Sequence, residues 1–170
     1  MAKKTPDQVL KNASKKIEKA FELEISSVNM KERGEDSKEG VVKRTQILGK
    51  GVDGSRSNPL KPLSDKYKER RRIKRKQLGP NAKPNKSNLT FTGQLLKSLS
   101  VVGTRGRFIM FAKSTSRTLP NGEPDSKTNS EILKYVQRER TFLELTKAEI
   151  NKIKKEFREK FRKKIRDLTT

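Results

Sequence analysis

Residues 88–102 read NLTFTGQLLKSLSVV, and here apolar residues, a glycine and hydroxyl residues come together without a dense run of lysine and arginine. Leu89 and Phe91 alternate with polar residues, and Thr92-Gly93 indicates a tight corner at which Thr92 caps the following turn. Three leucines at helical spacing follow the corner: Leu95, Leu96 and Leu99. The pattern predicts an extended entry, a corner, about one helical turn and a strand that begins at Leu99.

Downstream of this corner the sequence predicts an antiparallel hairpin over residues 99–112. Alternation resumes at Leu99, the run RFIMFA at 107–112 is β-like, and GTRG at 103–106 between them is rich in turn formers. Residues 41–48, VVKRTQIL, alternate weakly and predict a further strand. Periodicity of this kind describes an ordinary αβ core element and does not by itself name a function.

Two helices are predicted at the ends of the chain. Thr5-Pro6-Asp7-Gln8 forms a capping box with proline at the first helical position, and an apolar stripe then predicts a helix over 5–33 that stops at Gly34. Thr146-Lys147-Ala148-Glu149 is a second capping box and opens the final helix. The predicted fold class is therefore α+β, with a small antiparallel sheet packed by a long N-terminal and a long C-terminal helix.

We expect residues 1–170 to form a single domain. Its predicted parts are the N-terminal helix 5–33, a basic loop or arm 49–88, the central turn and hairpin 89–112, and a C-terminal helical part 130–168.

Composition limits the function. The formal charge is +23, apolar residues make up 29% of the 170 residues, and the chain contains no cysteine, histidine or tryptophan. These absences remove thiol nucleophiles, Cys/His zinc sites and Ser-His triads. We therefore expect no enzyme, no catalytic or metal site, no cofactor and no small-molecule substrate. No segment has the apolar run of a signal peptide or of a bilayer span, so we also expect no membrane partner.

The strongest electrostatic feature lies within the arm, where Ser64 is expected to cap a short helix through Lys76. Six cations there are candidate contacts for DNA or for an acidic partner: Arg70, Arg71, Arg72, Lys74, Arg75 and Lys76. A phosphate-contacting arm and a solvated surface helix explain this run equally well. With Tyr67 as its only aromatic residue, the run would contact nucleic-acid backbone rather than bases.

Three pieces in this order resemble the tail-completion and head-tail joining (neck) proteins of tailed bacteriophages, of the virion morphogenesis type. They are GVDG at 51–54 followed by PLKPLSDKY at 59–67, then NLTFTGQLLKSL at 88–99, then RERTFLELT at 138–146 leading into the last helix. The residues that carry the resemblance are Leu89, Thr90, Thr92, Gly93, Leu95, Leu96, Leu99, Phe142, Leu143 and Leu145.

The resemblance implies a structural virion protein, made in the host cytoplasm and located in the neck or tail. Such subunits form homo-oligomeric rings that join the portal or connector to the tail, with non-specific contact to packaged DNA as a further expectation. The net charge alone favours a different class, a nucleic-acid-binding protein associated with ribosomes or DNA. Salt discriminates between them, because a phosphate binder loses affinity steeply as salt rises.

Overall fold

The computed structural model describes residues 5–54, 56–73, 93–119, 122–139 and 141–169. Over this part of the chain the protein is α+β, with helices and three two-stranded antiparallel sheets. The helices are α1 (Pro6–Glu24), α2 (Ser27–Lys43), α3 (Asp65–Ile73), α4 (Gln94–Lys97), α5 (Asn129–Glu139) and α6 (Lys147–Thr169). The strands pair as β1 (Lys50–Asp53) with β2 (Arg56–Pro59), β3 (Leu99–Thr104) with β4 (Arg107–Ala112), and β5 (Arg117–Thr118) with β6 (Pro124–Asp125).

The N-terminal helix begins as predicted. The Thr5 side chain accepts a hydrogen bond from the Gln8 backbone N–H at 3.4 Å, and Gln8 Oε1 accepts from the Thr5 N–H at 3.1 Å. A single helix over 5–33 is wrong, however, because α1 ends at Glu24 and Ser26 caps a second helix by accepting from Asn29 N–H at 3.4 Å. The apolar stripe continues across this break, and so the sequence pattern hides it.

Gly34 does not end a helix but lies inside α2, where the hairpin β3–β4 crosses it. A Cβ atom on Gly34 would lie 2.3 Å from Val101 Cγ1 and 3.0 Å from Phe108 Cβ. On the hairpin side, a Cβ atom on Gly103 would lie 2.1 Å from the Ser27 carbonyl oxygen. Both glycines are therefore required by the close approach of helix and hairpin rather than by a turn.

The strand predicted near 41–48 is also wrong. Helix α2 continues to Lys43 and passes into a π-helical turn, Arg44–Leu48, which ends at Gly49 with a left-handed φ of 64°. Val41 and Thr45 are completely buried and Arg44 nearly so, and a spacing of three and four residues is helical. The weak alternation of this segment therefore reflected one buried helical face.

The hairpin at 99–112 is confirmed, with Leu99 opposite Ala112 and Thr104 opposite Arg107. Its inner face packs on α2 and joins the core, which also receives residues from the 41–60 region and from α4. The buried members of this core are Val41, Leu60, Leu95, Leu96, Leu99, Ala112 and Phe142.

The final helix begins where its capping box predicts. The Thr146 side chain accepts from Glu149 N–H at 3.2 Å, and Glu149 Oε2 accepts from Thr146 N–H at 2.7 Å. Helix α6 packs along α1 through three phenylalanines, with ring centres 6.0–6.3 Å apart: Phe21, Phe157 and Phe161. These edge and stacked contacts join the two ends of the chain.

Alanine substitution at the two glycines of α2 should have opposite effects. Gly34→Ala should lower stability by about 1–2 kcal/mol, because overpacking against Val101 and Phe108 outweighs the gain of about 1 kcal/mol in helix propensity. Gly40→Ala is the matched control, since the nearest atom to its added Cβ is Glu149 Oε1 at 3.9 Å, and it should raise stability. Urea unfolding followed by circular dichroism measures both. Equal stabilisation by the two variants would contradict the close approach.

Candidate functional site

The described residues among the ten singled out above in the 89–99 and 142–145 segments are buried or pack against the core. Gly93 adopts a left-handed φ of 73° directly before α4, which confirms the predicted corner. Leu95, Leu96 and Leu99 are buried, and they share one cluster with Phe142, which is completely buried. Leu143 and Leu145 pack against the same cluster while remaining partly exposed. Leu89, Thr90 and Thr92 lie outside the described residues.

Residues 141–146 form an irregular segment that is fixed from several sides. Val52 N–H donates to the Thr141 carbonyl oxygen at 2.9 Å, which ties the segment to β1. Gln137 Oε1 accepts from the backbone N–H groups of Phe142 and Leu143 at 3.1 and 3.3 Å. The backbone of this segment also lies close to β1. A Cβ atom added to Gly51 would lie only 2.3 Å from the Thr141 carbonyl oxygen. This network holds Phe142 in the core.

Sequence reasoning missed the most connected residue of this site, Arg44. Its guanidinium donates to the Phe142 and Glu144 carbonyl oxygens at 2.7 and 2.8 Å and pairs with Glu149. Only 6% of the residue is exposed. The available signal was the helical spacing of Val41, Arg44 and Thr45, but the strand interpretation gave Arg44 no inward direction.

Three of the six candidate cations of the arm are described, and they lie in different environments. Arg70 and Arg72 are exposed, and Arg72 lies 3.5 Å from Glu69. Arg71 is only 2% exposed, and burial lowers the pKa of its guanidinium while nearby Tyr67 raises it. An arginine in this setting stays charged, but it is not placed to meet a partner. Lys74, Arg75 and Lys76 lie outside the described residues.

The helix that contains these cations begins as predicted. Ser64 Oγ accepts from the Tyr67 N–H at 3.3 Å, and Asp65 is the first residue of α3. Lys68 pairs with Asp65 at 2.8 Å on the exposed surface. Ion pairs of this kind are screened and contribute little to stability.

A second charged cluster joins α1, α2 and α6 at Glu24. This residue is 1% exposed, pairs with the buried Arg33, and lies 2.6 Å from the Lys164 ammonium group. Burial raises the pKa of the Glu24 carboxyl, but hydrogen bonds and positive charge from Lys164 and Arg33 hold it below its ordinary range. The carboxylate is therefore ionised at neutral pH and fixes three helices to one another.

The outer face of the hairpin β3–β4 is apolar and exposed. We call Val102, Ile109 and Phe111 the hairpin face; their exposed fractions are 45%, 50% and 37%. Val102 lies directly opposite Ile109 in the strand register, so the side chains are neighbours. Clustered apolar side chains on a sheet face are typical of surfaces that meet another protein.

Within the described ranges, no group of three or more acidic, histidine or cysteine side chains is arranged to hold a metal ion. Nor does any described helix have the length and apolarity needed to cross a bilayer. No protein-family model, no curated protein and no solved structure matches the chain.

The ionised Glu24 should make stability depend on pH. Because its pKa is lower in the folded than in the unfolded state, its contribution is full above the unfolded value of about 4.3 and is lost as pH falls through the folded value. Glu24→Gln should reduce stability at pH near 7 by about 1–3 kcal/mol. The difference from the unmodified protein should shrink below about pH 4.

Glu22→Gln is the control for this experiment, because Glu22 pairs with Arg105 on the exposed surface and should contribute less than about 1 kcal/mol. Urea unfolding at a series of pH values measures both variants. A Glu24→Gln effect that stays constant from neutral to acid pH would show that the carboxylate charge is not what stabilises the cluster.

Proposed function

We propose that the chain is a structural subunit of a tailed-phage neck, forming a ring that joins the portal or connector to the tail. The observation that carries the proposal is that residues from motif pieces far apart in sequence meet in one core. Leu95, Leu96 and Leu99 pack with Phe142, and Gly51 lies against Thr141.

The exposed hairpin face supports an oligomeric subunit. Ile109 and Phe111 are two of several exposed apolar side chains, and with Val102 they lie together on one face of the hairpin. The sheet beneath them has only two strands, so both of its edges are open among the described residues. A neighbouring subunit that covers the hairpin face would add the apolar burial that the isolated chain lacks.

Quantitative mass spectrometry of gradient-purified, nuclease-treated particles from a culture that produces this protein tests the proposal. The expected result is a low fixed ratio to the major capsid protein, equivalent to about six or twelve copies per particle, as closed rings require. Absence from the particles would reject the neck function.

The hairpin face should drive self-association if it meets a neighbour. Replacing Ile109 and Phe111 by serine should shift sedimentation from oligomer to monomer while circular dichroism stays unchanged, because both side chains are exposed. The matched control replaces Leu10 on α1 and Val28 on α2 by serine. These side chains are 68% and 73% exposed, and the control should sediment as the unmodified protein does. Equal loss of association in both variants would remove the hairpin face from the interface.

Nucleic-acid binding remains a second candidate, because α6 carries exposed cations without an acidic partner in the described part of the chain. These are Lys154, Arg158, Arg162 and Lys163. A protein whose function is phosphate binding should bind a duplex saturably and lose about 10³–10⁵ of its affinity between 50 and 200 mM salt. Weak, unsaturated binding over the same range would reject this candidate.

Variants that test whether the arm contributes to this binding should replace Arg70 and Arg72 and leave the buried Arg71 in place.

A further inference from the structure

An open groove lies between helix α6, the start of α2 and the turn of the hairpin β3–β4. Its volume is about 650 Å³. The floor is apolar and consists of Ile25, Met30, Phe108, Ile153 and Phe157. Three exposed cations stand at its edge: Arg107, Lys154 and Arg158. We call this feature the cationic groove.

The residues that line the cationic groove are held in place by contacts with one another and with Glu24. The Arg33 guanidinium lies 4.9 Å from the centre of the Phe157 ring and pairs with Glu24, so its own charge is already compensated. At the other end, Gly106 N–H donates to the Ile25 carbonyl oxygen at 2.8 Å and fixes the hairpin turn. The groove is therefore formed before any partner arrives, which lowers the entropic cost of binding.

The charge around the groove has one sign. Among the described residues no carboxylate lines it, and none of the three edge cations forms an ion pair there. Lys154 and Arg158 are four residues apart on α6, an arrangement in which like charges repel. Elsewhere on this helix the same spacing is used for attraction, as between Lys152 and Glu156 at 3.8 Å.

We propose that the cationic groove binds an acidic amphipathic segment of a partner protein. An apolar side chain of that segment would cover the half-buried Phe108 and Phe157, beside the buried Met30, and its carboxylates would meet Arg107, Lys154 and Arg158. A nucleic-acid backbone would satisfy the cations but would leave the apolar floor uncovered. A second copy of this chain would bring a charge of +23 to a surface that is already positive. The binding does not depend on a place in a phage neck.

Methionine methyl NMR on the full chain locates the binding directly. The chain has three methionines; Met30 lines the groove, and Met110, on β4, packs against the core and serves as an internal reference. The probe is a synthetic helical peptide with leucines on one face and glutamates on the other. We expect this peptide to shift the Met30 methyl resonance and to leave that of Met110 in place.

Two further probes separate the apolar contribution to binding from the electrostatic contribution. A peptide with the same glutamates but with serine for leucine, and a single-stranded oligonucleotide of equal charge, should each bind about tenfold more weakly. If either probe shifts Met30 as strongly as the amphipathic peptide does, recognition is by charge alone and the proposal fails. A Met30 shift that depends on protein concentration without peptide would assign the groove to self-association and would also overturn it.

Charge-neutralising variants test whether the three cations at the edge of the groove contribute to binding. Replacing Arg107, Lys154 and Arg158 together by glutamine should weaken the amphipathic peptide about tenfold, and all three side chains are exposed, so the fold should persist. The matched control removes the same charge from α1 by Lys11→Gln, Lys15→Gln and Lys19→Gln and should change affinity less than about twofold. Fluorescence anisotropy measures affinity. Equal weakening in both triple variants would show a general charge effect and reject a specific groove.

Discussion

The backbone of α2 lies directly against the hairpin β3–β4, and this approach determines where the other elements stand. At Gly34 and Gly103 there is no room for a side chain between helix and hairpin. The position of α2 in turn places Arg33 beneath α6 and Arg44 beneath residues 141–146. Because a packed interior does not accommodate an extra methyl group without cost, this contact fixes the position of α2 and with it those of Arg33 and Arg44.

Buried cations take part in the interior of this highly charged protein. Arg44 binds two backbone carbonyl oxygens and Glu149, and Arg33 binds the Glu24 side chain and carbonyl oxygen. A buried ion pair adds little net stability compared with an apolar pair, but removal of one partner is costly. The buried ion pairs therefore contribute more to the relative positions of α1, α2 and α6 than to the net stability of their contacts. The chain has few apolar residues that could specify those positions instead.

Short sequence motifs correctly predicted the structural features that depend on residues close together in the chain. Both capping boxes, the Ser64 cap and the 99–112 hairpin are confirmed, since each depends on residues close together in the chain. The helical course through Gly34 and the inward direction of Arg44 depend on residues over sixty positions away. The break at Ser26 is capped locally by its contact with Asn29, but the apolar stripe that continues across it concealed it. The candidate site divides in the same way: the leucine turn was recognisable, whereas the burial of Arg71 and the cationic groove arise only from tertiary packing.

The net charge and the exposed apolar surfaces impose opposing demands on assembly. We propose that the hairpin face meets a neighbouring copy, yet each copy carries +23 and repulsion between like surfaces acts within a Debye length of about 8 Å at physiological salt. In the proposed ring, negative charge between or beside neighbouring copies would reduce this repulsion. An acidic segment in the cationic groove, next to the hairpin turn at Gly106, would supply that charge close to the interface. On this argument, binding of an acidic partner and ring formation would strengthen each other, because each removes a cost that limits the other.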